Sequence, residues 1–172
     1  MRKASFEPVY GETCRILILG SLPGDRSLAE GQYYGHPRNL FWKLVGRVIC
    51  VDLEAFDYEA RLAKLVEFRI GLWDVFASAE RQGSLDAKIA SGVPNDIAGL
   101  CERLPLLRAV AFNGTTAYKQ GTALVPRKYE RIKLLSSSPA NAGYRFDAIA
   151  SQWCELRQFL PPLLSPQITE RT

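Results

Sequence analysis

Four apolar residues in a row, Ile16-Leu17-Ile18-Leu19, run straight into Gly20-Ser21-Leu22-Pro23-Gly24. A strand that is apolar at every position must be covered on both faces, as happens in a parallel sheet flanked by helices. A half-buried strand would alternate instead. The glycines and the proline end the strand abruptly. Ile70 to Val75, Leu107 to Phe112 and Arg131 to Leu135 read as further strands. Between them, apolar residues recur at helical spacing. From Asn39 to Cys50 these are Phe41, Leu44, Val45, Val48 and Ile49, with Pro37 suited to the first turn. Asp57 can cap a helix bearing Tyr58, Leu62, Leu65 and Val66, and Ser84 a short one reaching Ile89. Asn95 begins a helix with Ile97, Leu100, Cys101 and Leu104 on one face, and Pro105 stops it. Thr115 to Lys119 reads as a short helix. The last helix carries Phe146, Ile149, Ala150, Trp153, Leu156 and Leu160, up to Pro161-Pro162.

Strands alternating with helices predict an α/β protein, a three-layer α/β/α sandwich around a central, mostly parallel, four-stranded sheet. One domain is expected over residues 1–172, with its core at about 14–160 and a polar tail at 161–172. The carboxyl ends of such strands share one edge, where ligands bind. That places four loops together: Gly20–Asn39, Asp74–Ser84, Asn113–Gly114 and Ser136–Gly143.

Several function classes drop out. No apolar run approaches the roughly 20 residues of a membrane span, and no apolar signal segment follows Met1-Arg2-Lys3. No membrane association is expected, and the chain is expected inside the cell, in the cytoplasm or nucleoid, or in a nucleus. The net charge of +4 is compatible with a nucleic-acid partner without requiring one. Cys14, Cys50, Cys101 and Cys154 lie 36, 51 and 53 residues apart, unlike the close ligand pairs of zinc or iron–sulfur sites. They read as buried free thiols, and with a single histidine no metal is expected.

The segment Gly20 to Trp42, GSLPGDRSLAEGQYYGHPRNLFW, holds four glycines, two prolines, paired tyrosines, His36 and Asn39. It lacks both the Lys-Ser/Thr of a nucleotide P-loop and the G-x-G-x-x-G of a dinucleotide fold, so nucleoside-triphosphatase and dinucleotide chemistry are disfavoured. Tyr33 and Tyr34 either offer a flat face on which a base stacks or anchor the loop to the core. His36 can cap a helix or line a pocket. The Asn39 amide can donate to and accept from a base edge, hold a water, or serve the first helical turn. The second rich segment, LLSSSPANAGYRF, sets Ser136, Ser137, Ser138 and Asn141 at a strand end, where they suit phosphate oxygens, with Tyr144 and Arg145 beside them.

With these residues in hand, the chain resembles the uracil-DNA glycosylase superfamily over about Arg15 to Leu160. The long first segment, SSSPANA, GLWDVFASAERQGSLDAKI and AFNGTTAYK are most similar to its hypoxanthine-DNA (deoxyinosine) glycosylase branch, family 6. The resemblance implies a monofunctional enzyme that flips a deaminated base from DNA and hydrolyses its N-glycosidic bond, with no cofactor. Hypoxanthine comes first, then uracil, with xanthine also in view. Most relatives carry Asp or Asn at the third position of G-x-x-P-G to place the water, where this chain has Leu22. The deoxyinosine branch shares that departure and depends on the asparagine of HPRN, which makes Asn39 the catalytic residue here, holding water or base. Tyr34 matches an aromatic that stacks on the flipped base. Gly20, Ser21, Leu22 and Asn113 are implied at the base. Ser136 stands where relatives often have histidine. Ser136, Ser137, Ser138, Asn141, Gly114 and Arg145 are implied at the DNA backbone, with His36 and Asp74 near the pocket. The partner is DNA containing a deaminated base, and the protein acts as a monomer. Leu22 and Ser136 also keep open a non-catalytic nucleic-acid-binding module, and the α/β pattern a nucleoside or nucleotide N-glycosidase.

Overall fold

A computed structural model describes residues 1–141 and 143–163. The expected polar tail falls, from residue 164 on, outside the described residues. In chain order the elements are β1 (Arg2–Ala4), β2 (Ile16–Gly20), α1 (Asp25–Glu30), α2 (Phe41–Ile49), α3 (Tyr58–Glu67), β3 (Ile70–Asp74), β4 (Phe76–Glu80), β5 (Ala90–Pro94), α4 (Ile97–Glu102), β6 (Ala109–Asn113), α5 (Thr115–Gly121), β7 (Glu130–Leu134) and α6 (Phe146–Cys154).

The four strands expected from their apolar runs form one sheet in the order β3-β2-β6-β7, every pairing parallel. All residues of β2, β3 and β6 are buried, because helices cover both faces. On one face Ile16, Ile18, Ile70, Leu72, Ala111 and Leu134 pack with α2, α3 and α6. On the other, Leu17, Leu19, Val110 and Phe112 pack with α4 and α5. This is the three-layer sandwich. The chain runs outward from β2 to β3, then returns to the far side of β2 to lay down β6 and β7. The order therefore reverses between β2 and β6, and the crevice at their carboxyl ends is the natural ligand position.

Local differences have physical causes. α2 begins at Phe41, not Asn39, and Pro37 lies outside it. The Asn39 side-chain oxygen Oδ1 instead accepts the Phe41 N–H at 3.0 Å. The stretch expected as an Asp74–Ser84 loop contains β4, which pairs antiparallel with β1 and β5 in a second, three-stranded sheet. The expected Ser84 helix is only a 3-10 turn at Asp86–Lys88, and the Ser84 hydroxyl caps another helix by accepting the Asp25 N–H at 2.9 Å. The short α1 lies inside what reads as loop. The last helix tightens to 3-10 geometry at Glu155–Phe159. Cys14 and Cys101 are buried thiols as expected, but Cys154 is half-buried and Cys50, which ends α2 in the left-handed conformation at φ 57°, is exposed.

The second sheet has a mechanical consequence. At its end Arg81, 2% exposed, donates to the carbonyls of Leu22 and Gly83, both at 3.1 Å, and to that of Pro23, and pairs with Asp86 at 3.3 Å. Lys3 of β1, also buried, bonds Asp25 and the Gly83 carbonyl. Buried cations thus hold the Gly20–Gly24 turn from below. Arg81→Ala should lower unfolding free energy by about 3 kcal/mol, since several carbonyls and Asp86 lose one charged donor. Arg81→Lys should recover only part, an ammonium being unable to span the same acceptors. Urea titration of the variants checks this, and an unchanged midpoint for Arg81→Ala would contradict it.

Candidate active site

The carboxyl ends of β2, β3 and β6 bring Gly20, Asp74 and Asn113 side by side, with Ser136–Ser138 following β7. Gly20 is glycine for a steric reason. A Cβ there would stand 2.6 Å from Asp74 Oδ1 and 2.9 Å from the Tyr34 hydroxyl. The missing side chain lets a carboxyl and a phenol meet at the floor of a cleft of about 500 Å³, a volume ordinary for a small-ligand site.

Tyr34 is held in a left-handed conformation, at φ 54°. Its ring stacks on Phe41 at 3.9 Å between centroids and 9° between planes, and its hydroxyl accepts the Asn113 Nδ2–H at 3.1 Å. One ring face is thereby covered, and the other is left for a ligand. Burial, and then the Asp74 carboxyl, push the phenol pKa up, so the hydroxyl keeps its proton. Tyr33 takes the anchoring alternative. It is 3% exposed, and its hydroxyl reaches the Phe6 and Glu7 carbonyls at 3.3 and 3.1 Å.

Asn113 is a joint. The Ser137 N–H can only donate, so the amide atom facing it at 2.9 Å is Oδ1, which directs Nδ2 to the Ser137 hydroxyl at 2.8 Å and to Tyr34. Both amide hydrogens are thus used within the protein, where sequence reasoning expects a base reader. Ser137 departs from its expected phosphate contact for the same reason: it is wholly buried, its hydroxyl faces Asn113 and its carbonyl takes the Leu40 N–H at 3.0 Å. Asn113 and Ser137 therefore tie β6, the loop after β7 and the start of α2 together.

Asn39, half-buried, lines the cleft just before α2. Its Oδ1 faces the Phe41 N–H, which leaves Nδ2 as the atom with which it meets a ligand. His36 also lines the cleft, with Nδ1 accepting the Arg38 N–H at 3.1 Å to close the turn. Ser21 and Leu22 contribute to the wall, but the Leu22 side chain packs into the core on the α4 side. Gly114 turns the chain into α5 at φ 102°. Ser136, Ser138 and Asn141 form the opposite rim, self-bonded through Ser138 N–H to Ser136 Oγ at 3.1 Å and Asn141 Nδ2 to the Ser136 carbonyl at 2.9 Å. Arg145 is the one expected residue not brought to the cleft. It is exposed at the start of α6.

Asp74, 3% exposed, accepts or donates one hydrogen bond with the Ser5 hydroxyl at 2.8 Å. Burial drives its pKa up to about 7, against the opposing effect of Ser5; Asp86 adds to the rise and Arg81 subtracts from it. Asp86 also lines the cleft, and its pKa is raised by burial and restrained by the Ser21 hydroxyl and Arg81. Sequence reasoning misses Asp86, Arg81 and Ser5. Asp86 and Arg81 lie in a segment that resembles the family, so a signal was present for them. For Ser5 there was none, because it arrives only when the amino-terminal segment pairs Val9 with Leu72 along the edge of β3.

A sequence model described as the uracil DNA glycosylase superfamily matches residues 8–157. A hypoxanthine DNA glycosylase of Methanosarcina barkeri is 46% identical over 141 residues, covering 82% of this chain and 89% of that protein. One of Methanosarcina acetivorans is 48% identical over the same lengths. The fold is also similar to a solution NMR structure from Methanosarcina acetivorans, described provisionally as a uracil DNA glycosylase. The TM-score is 0.83 at 43% identity, over 92% of this chain and 99% of that one.

Removing the joint should loosen the cleft without dissolving the sheet. Asn113→Ala leaves the buried Ser137 N–H and hydroxyl unpaired, at a cost of roughly 1–3 kcal/mol for each group left unsatisfied. Hydrogen exchange at Ser137 and Leu40 should quicken selectively, while the amides of β2 keep their protection. Uniform quickening throughout the sheet would contradict a local joint.

Proposed function

The chain belongs to the uracil DNA glycosylase superfamily, and from that premise we propose that it removes hypoxanthine from deoxyinosine in DNA, with uracil as a poorer substrate and xanthine a further one. It is a DNA glycosylase, an enzyme that hydrolyses the bond between a base and its sugar. We read the chain as one glycosylase domain that works as a monomer inside the cell.

The observation that carries the substrate reading is the convergence of a free Tyr34 face, the Asn39 amide and the Gly20 floor in one cleft beside the strand-order reversal. A base inside a duplex is out of reach of such a cleft, so the nucleotide must be flipped out. In the cleft the base stacks on the uncovered face of Tyr34. As the glycosidic bond stretches, positive charge grows on the sugar and negative charge on the base, and a water then adds to the sugar carbon. A donor fixed where negative charge develops lowers that barrier. With its Oδ1 engaged by Phe41, Asn39 offers a donor, so we assign it to the departing base and not to general-base activation of the water. Leu22 has no side chain to offer that water, its side chain lying in the core. Ser136, Ser138 and Asn141 on the far rim suit the DNA backbone next to the flipped nucleotide.

A duplex oligonucleotide with one deoxyinosine, treated with enzyme and then alkali, tests the reading. Strand scission at the inosine is expected, and only after alkali, because neither motif contains a lysine to open the sugar. Scission at uracil with none at inosine would overturn the substrate. Base release from free deoxyinosine would instead indicate a nucleoside hydrolase, and binding without any excision a non-catalytic module. Asn39→Ala should lower the single-turnover rate on the order of 10²–10³-fold, the usual effect of removing one such donor, while damaged DNA still binds. A variant with the wild-type rate would contradict the assignment.

A further inference from the structure

Asp74 ends β3 in register with Gly20, and its carboxyl lies on the cleft floor next to the Tyr34 hydroxyl. Among the described residues Ser5 is its sole hydrogen-bond partner, and no cation is paired with it. Arg81, the guanidinium that acts on it, is engaged with Asp86 and with three backbone carbonyls. An ionised carboxylate so enclosed is poorly compensated. It would also repel the negative charge that a departing base acquires. A neutral carboxyl would do the opposite, because it could donate.

The Ser5 hydroxyl is arranged to serve either placement of the proton. Its oxygen lies 2.8 Å from Asp74 Oδ2 and 3.2 Å from the Phe6 carbonyl, and it has one hydrogen for the two. With the acid proton on Oδ2, Asp74 donates to Ser5 and Ser5 donates to Phe6. With the proton on Oδ1, Ser5 turns its hydrogen to Oδ2. The Phe6 carbonyl tolerates that turn, since it also accepts from Trp73 Nε1 at 3.0 Å and the Tyr33 hydroxyl at 3.3 Å. Oδ1, packed against Gly20, is then a donor with no hydrogen-bond partner among the described residues.

We propose that Asp74 is a catalytic acid specific to the purine, its Oδ1 proton bonded to the acceptor edge of the flipped hypoxanthine and delivered to N7 as the base leaves. The inference rests on the substrate reading above. In the step, the C1′–N9 bond breaks and its electron pair passes to the base. The carboxyl proton moves to N7, so neutral hypoxanthine departs and Asp74 becomes a carboxylate. Water forms the new C1′–O bond, and the proton it loses returns through solvent to restore the acid. Ser5 is the positioning residue. Uracil, whose ring better carries an anion, depends less on this proton.

The titratable and charged groups around Asp74 are Tyr33 and Tyr34 from the segment after α1, Arg81 from the end of β4 and Asp86 from the 3-10 turn beyond it. Burial is the largest influence on Asp74, and with these neighbours it brings the group to about 7. The active form is the protonated one, so it is present below that pH and lost as pH rises through it.

Single-turnover excision from deoxyinosine and deoxyuridine duplexes between about pH 5.5 and 9, a range centred near the carboxyl's pKa, is the test. For wild type, hypoxanthine release should fall about tenfold per pH unit above roughly 7, while uracil release falls less. Asp74→Asn can donate a hydrogen bond but cannot transfer the proton. It should lose on the order of 10²-fold on hypoxanthine, less on uracil, and lose the alkaline limb altogether. Ser5→Ala removes the bond that restrains the Asp74 pKa, so its limb should move to higher pH. Should Asp74→Asn fail to fold, the Ser5→Ala limb decides, and an unmoved limb overturns the proposal. A wild-type rate on hypoxanthine flat across the range, or an unchanged profile in Asp74→Asn, overturns it while leaving the substrate reading intact. A wild type that excises neither base removes both.

Discussion

The Asn113 amide is the contact on which the cleft depends. Its three hydrogen bonds join strands and loops that are far apart in the chain: β6 through its own backbone, the loop after β7 through Ser137, and the segment before α2 through Tyr34. Once Tyr34 is fixed by its hydroxyl and by Phe41 behind it, a single aromatic face remains for a ligand. Once Ser137 is fixed, its carbonyl sets the start of α2 through Leu40, and so sets Asn39 one residue earlier. The flat face and the amide therefore answer to one buried side chain.

The sheet supplies the other half of the geometry. Gly20 lies between Asp74 and Asn113 on the carboxyl edge, and because it lacks a Cβ the carboxyl and the phenol can approach over it. Beneath the same turn, Arg81 donates to the Leu22 and Pro23 carbonyls that a tight strand-to-helix passage leaves pointing inward, and Lys3 ties Asp25 at the start of α1 to the Gly83 carbonyl. The small antiparallel sheet thus props the first loop rigidly against the parallel one. A rigid frame suits catalysis by fixed donors, since their placement is made during folding and not during reaction.

Much of this was legible in the chain. The strand readings fell within about two residues of every strand of the parallel sheet; β2, β3 and β6, covered on both faces, leave an uninterrupted apolar signature, while the edge strand β7 is only partly buried and shows a weaker one. The apolar spacing of α2 and α6 was equally plain. The second sheet was not, and the reason is physical. β1 is three residues long, β5 is exposed at every position, and Arg2 pairs with Glu80 across most of the amino-terminal half, so neither periodicity nor proximity announces the pairing. The same holds for the site. Tyr34, Asn39 and Gly20 lie in one dense motif and could be picked out from it. Ser5 could not, and Asn113 was found but with its amide expected to face the base, because its partners Tyr34 and Ser137 appear only after folding.

The central claim is positional: the flipped base lies between the open face of Tyr34 and the Asn39 amide. A structure bound to a duplex carrying 2′-fluoro-deoxyinosine, whose glycosidic bond resists cleavage, measures this directly. The account predicts hypoxanthine stacked on Tyr34 opposite Phe41, with Asn39 Nδ2 at about 2.7–3.2 Å from an acceptor on the base. A base that stays in the helix, or one that enters the cleft with Asn39 turned to the DNA backbone, would contradict it.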